Sequence, residues 1–95
     1  MNTVHISDTL ILAAANSEMK KAAEKTAELN RLAEIGYLNS QTGLDVAIDA
    51  RNHLVKAYDL LGRINTLDAM HSRAGTKLAI ERQDEIIWKI RFLLM

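Results

Sequence analysis

The stretch DAMHSRAGTK, residues 68–77, decides how many helices this chain has and where they stop. Ser72, Gly75 and Thr76 are residue types that cap or terminate helices. His71, just before them, suits the negative end of a helix dipole. Read so, the segment is a junction: one helix ends near residue 71 and the next starts near 76. A continuous helix through Ala74 and Gly75 is the alternative. The sequence also leaves open whether the last helix folds back on the second or extends it.

Working outward, the chain has no proline, and no strand-length window alternates β-branched with polar residues. Helix throughout is the expectation. Gly36, Gly43, Gly62 and Gly75 are then the main punctuation. A first helix is predicted over 8–35, with Ser7 as N-cap, Asp8 in the first turn and Gly36 as the C-terminal cap. Leu12, Ala15, Met19, Ala22, Thr26, Leu29 and Ala33 fall at alternating spacings of three and four, a heptad stripe whose small residues would let a neighbouring helix approach closely. GYLNSQTG, residues 36–43, reads as a loop in which Thr42 caps the next helix, with Ser40 as rival. A second helix is predicted over 43–71, striped by Ala47, Ala50, Leu54, Ala57, Leu61 and Ile64. Gly62 inside it costs about 1 kcal/mol against alanine. A third helix, 76–94, is striped by Ile80, Ile87, Ile90 and Leu94, and Gln83 interrupts that stripe.

Ninety-five residues make one domain, 1–95. The expected fold is all-α: an elongated three-helix bundle, or a long helical hairpin plus a C-terminal helix. Only four residues are aromatic, and much of the apolar content is alanine, which buries little area. Dimerisation is therefore expected. The 12 basic and 12 acidic residues cancel, which argues against the basic field of a nucleic-acid binder. Residues 1–50 carry a net −3 and residues 51–95 a net +3, an asymmetry that would bias antiparallel association. With no cysteine, thiol chemistry and zinc–thiolate sites are excluded. Neither an export signal nor a membrane-spanning run is read, so the cytoplasm is the expected compartment.

Two short segments resemble known families. HSRAGT, residues 71–76, is similar to the motif of the histidine phosphotransfer family, which sets lysine, glycine and a small or hydroxyl residue three, four and five positions after the phosphoryl-accepting histidine. Gly75 and Thr76 match it; Ala74 stands where the lysine belongs. RNHLVKAYD, residues 51–59, resembles the arginine–asparagine, histidine and tyrosine segment of HEPN-domain ribonucleases, which are small helical dimers. Arg51, Asn52, Leu54, Val55 and Tyr58 match, whereas Lys56 occupies the place of the catalytic histidine. That resemblance implies at most a degenerate RNA-acting relative, since a protonated lysine is a poor general base. Asp45, Asp49 and His53 share one helical ridge, read as solvated rather than metal-binding. His5 sits near the chain start. The junctions are short enough for a helix-turn-helix, but the flanking helices are too long and only Lys77 and Arg82 offer a basic reading face.

The most apolar segment is IIWKIRFLLM, residues 86–95. Trp88, Phe92 and Met95 recur at i, i+4, i+7, off the main stripe. Such a second face either completes a dimer core, docks a foreign protein or rests on a membrane surface. The function expected from all this is non-enzymatic protein binding, of the adaptor, antitoxin, secretion-chaperone or virus- or plasmid-encoded inhibitor kind. Trp88, Phe92, Arg91 and Tyr58 are the expected partner-binding residues. No catalytic residue, metal or cofactor is expected, and the expected partners are another protein and a second copy. The alternative is the degenerate HEPN-like RNA-acting dimer.

Overall fold

The computed structural model describes residues 6–95, so His5 lies outside the described residues. Three helices make up 87% of it: α1 (Ile6–Glu34), α2 (Gln41–Leu61) and α3 (Leu67–Leu94). They pack in chain order as two successive hairpins with extents of 55 × 18 × 16 Å. α2 lies between its neighbours and packs on both. No Cα of α1 comes within 8 Å of one in α3. α1 and α3 are thus parallel flanks on a central helix.

The first turn forms as the sequence predicts. Gly36 adopts φ +80°, and its N–H bonds the carbonyl of Ala33 while that of Tyr37 bonds Leu32. This paired 6→1 and 5→2 closure satisfies the last carbonyls of α1 and needs a residue free to turn left-handed. Ser40, not Thr42, caps α2: it is extended at φ −149° and its hydroxyl accepts the N–H of Gly43 at 3.0 Å. Gly43 therefore belongs to the helix rather than the loop. A Cβ there would lie 1.9 Å from the Leu38 carbonyl oxygen, so only glycine lets the loop fold back this tightly.

The second junction is not where DAMHSRAGTK suggests. α2 stops at Leu61, the chain turns through residues 62–66, and α3 runs unbroken from Leu67 through Gly75. Gly62 is a C-cap, not an interior residue, and carries the Arg73 guanidinium against it, which leaves little room for a side chain. Thr66 begins α3, extended at φ −129°, its hydroxyl accepting the N–H of Ala69 at 3.1 Å, with Asp68 in the first turn. Thr76 is no cap either. It is buried, and its hydroxyl donates to the Ser72 carbonyl one turn back at 2.7 Å.

The core gathers at the two ends of the bundle. Near the first loop, Leu29, Leu44, Val46, Ala47, Ile87 and Ile90 cluster, backed by Leu32, Leu38 and Ile86. Near residues 62–66, Leu61 and Ile64 pack with Ala15 and Ala69. Leu61 and Ile90 are fully buried, each contributing about 1.5–3 kcal/mol by apolar burial. Between the ends the buried residues of α1 and α2 are mostly small: Ala22, Ala50 and Ala57, with Leu54 the one large side chain among them. Gln83 does not interrupt the buried stripe of α3; it is part of it, donating to Thr26 Oγ1 of α1 at 3.3 Å.

Candidate partner-binding surfaces

Successive helical residues turn by ~100°, so burying Ile87 and Ile90 against α2 forces Trp88 and Phe92 outward. Trp88 is 66% exposed and Phe92 61%. Their rings stack at 5.6 Å between centroids and 14° between planes. Met95 continues the same ridge, exposed at the end of the chain. Beside it Lys89 and Glu85 form an exposed pair at 3.2 Å, of little energetic weight. The ridge is no part of this chain's own core.

The other two expected binding residues lie elsewhere. Arg91 is exposed but borders the α2 side, with Ile48, Arg51, Asn52 and Asp84 around a shallow hollow. Tyr58 sits beside Met70, Ala74 and Lys77, under the Arg73 guanidinium at 3.9 Å from the ring centroid. Arg73 stands roughly 22 Å before Trp88 along α3 at ~1.5 Å per residue. Arg73 also donates to the Tyr58 carbonyl at 3.2 Å, so Tyr58 helps fasten α3 to the end of α2. Trp88 and Phe92 come together; Tyr58 does not join them.

A second surface was not foreseen. Because α1 and α3 flank α2 without touching backbone to backbone, a long open groove runs between them. Its wider part, about 610 Å³, has Leu54 of α2 at its base. Ala23 and Ala27 line one side and Ser72, Gly75 and Ala79 the other. It continues past Ser72 to Asp8, Leu12 and Asp68. Gln83 lines it too: the residue is 5% exposed, and its Oε1 has no hydrogen-bond partner. The signal for this surface was in the sequence as the heptad spacing of Asp68, Ser72, Gly75, Ala79 and Arg82.

The residues with chemical potential are mostly committed to holding helices together. Arg51 pairs with Asp84 of α3. Lys56 is exposed, and Leu54 beside it is buried in the bundle. Of the ridge read as solvated, Asp45 accepts from Gln41 at 2.9 Å, Asp49 approaches Lys25 at 4.0 Å and His53 Nδ1 meets Glu18 at 2.6 Å. That hydrogen bond from His53, helped by Lys21 and Lys56, holds the Glu18 carboxyl below its ordinary value of 4.5 against the opposing effect of burial. Among the described residues, no three His, Asp or Glu side chains converge as a metal site. His71 is exposed in the second turn of α3, not at a helix end. No helix among the described residues is long and apolar enough to cross a membrane. Compared with known proteins, the chain matches no protein family, no curated protein and no solved structure.

Proposed function

We propose that this chain is a non-enzymatic protein-binding module of the adaptor, antitoxin, chaperone or inhibitor kind, acting in the cytoplasm as a homodimer. The observation that carries it is the stacked, outward-facing pair of Trp88 and Phe92. Two large rings held against each other have already lost part of their rotational freedom. A partner that covers them therefore gains apolar burial at reduced entropic cost. Aromatic anchors of this kind carry most of the energy at protein interfaces. Nothing in the geometry favours the RNA-acting alternative, since Arg51 is engaged by Asp84 and no imidazole replaces Lys56.

The test is capture of the intact, tagged protein's partner from native host lysate, with Trp88→Ala and Phe92→Ala beside it. Each variant is expected to weaken capture at least about tenfold, with helicity and oligomeric mass retained. Trp88 is the sole tryptophan. Its fluorescence is expected to be open to aqueous quencher in the free protein and shielded on adding the captured partner. Undiminished capture by both variants would overturn the reading, as would recovery of RNA that leaves at raised salt.

A further inference from the structure

We propose that the groove between α1 and α3 is where a second copy of this chain packs, its α3 crossing the first copy's α3 antiparallel at Gly75. The proposal rests on the homodimer in the reading above and is independent of the aromatic ridge.

Gly75 is the starting point. It lies in the interior of α3, where glycine is the least favourable residue after proline. Its backbone is not left-handed, and a Cβ built on it would meet nothing within 4 Å. Nothing inside the chain calls for glycine here, whereas a helix crossing from outside would, because it lets two backbones approach closely. Ser72 and Ala79, one turn to either side, keep the approach open, and Ala23 and Ala27 do the same on the α1 wall.

The charges say which helix. Asp68 and Arg82 stand seven residues before and after Gly75 on the same stripe, both lining the groove, and neither is in an ion pair among the described residues. A two-fold axis through Gly75 sets each Arg82 against Asp68 of the second copy, and both pairs form at once. Asp8 of α1, beside Asp68 in the groove, adds to the acidic end. Such equidistant opposite charges are self-complementary, as an isologous interface requires. The same register sets Gln83, whose Oε1 is unpartnered, opposite Leu67 and Asp68 of the second copy, whose backbone N–H groups precede the first intrahelical acceptor.

The chain exposes 6618 Å², about 1,100 Å² more than the about 5,500 Å² of a globular chain of 10.6 kDa, as its 55 × 18 × 16 Å rod shape requires.

Sedimentation equilibrium on the full chain, with circular dichroism alongside, tests this. The native protein is expected to be a dimer. The Cβ of Gly75→Leu meets no atom of its own chain within 4 Å, and leucine is the better helix former, so the variant should keep its helicity yet weaken the dimer at least about tenfold. Arg82→Glu and Asp68→Arg should each weaken it, and the two combined in one chain should restore it to within a few-fold of native. A native protein that stays monomeric into the high micromolar range would overturn both the homodimer and this surface. A native dimer unmoved by Gly75→Leu and by either charge reversal would overturn the surface alone.

Discussion

The ends of this bundle and its middle are built by different rules. At the ends, branched side chains from different helices fill the space: Leu29, Leu44, Ile87 and Ile90 at one, Leu61 and Ile64 at the other. In the middle the buried side chains are mostly alanines, and among the described residues α1 and α3 are linked there by thin polar contacts. Gln83 donates to Thr26, and the Thr76 hydroxyl approaches Met19 Sδ at 3.9 Å. Large apolar residues supply the stability. Small and polar residues supply alignment and leave a surface open. A polar position in an otherwise apolar stripe is a known way to fix helix register at some cost in stability.

The largest effects should follow from breaking the ends. Ile90→Ala and Leu61→Ala each remove a fully buried side chain and should cost about 2–5 kcal/mol, read as a fall in the denaturant midpoint with unchanged slope. The middle should behave oppositely. Gln83→Met discards a weak hydrogen bond together with a buried oxygen that has no donor, and should raise the free chain's stability by up to about 1 kcal/mol. A loss comparable to that of Ile90→Ala would show that the middle is core like the ends.

A smaller effect concerns the link from α1 to α2. The folded chain holds the Glu18 carboxyl below 4.5, chiefly through the hydrogen bond from His53. A depressed carboxylate stabilises the fold fully above its unfolded value, and that contribution disappears as pH falls through the folded one. Thermal melts between pH 6 and pH 3 should therefore show native stability dropping more steeply below about 4.5 than in Glu18→Gln. Parallel curves would remove Glu18 from the account.

Much of the fold was legible because it rests on local rules. Gly36 ends α1 through its own backbone, and the absence of proline with apolar residues at helical spacing gives three helices. The second junction was misread because Ser72, Gly75 and Thr76 look like helix breakers when counted by type. In the structure Ser72 and Thr76 are joined by a hydrogen bond inside one helix, and Gly75 faces open space. The true break had comparable signals in Gly62, Thr66 and Asp68, but Gly62 was carried along by the apolar stripe that ends at Ile64. Trp88 and Phe92 were readable from their phase against Ile87 and Ile90. Gln83 was not, since its acceptor, Thr26, is 57 residues away in sequence. Tyr58 and Arg91 were expected to bind a partner as Trp88 and Phe92 were, and only the packing of α2 on α3 shows that they lie on other faces.

On the proposal above, two copies meet at the open middle and not at the aromatic ridge. The chain has no cysteine, so a single introduced one reports on one place. The measurement is disulfide cross-linking under a mild oxidant of Gly75→Cys and, separately, Trp88→Cys, in otherwise native protein. A bridge needs the two Cα atoms within about 7 Å, which a close crossing at residue 75 provides and a free ridge does not. Rapid covalent dimer from Gly75→Cys and little from Trp88→Cys is the predicted result. The reverse pattern would place the dimer on the ridge and contradict the account.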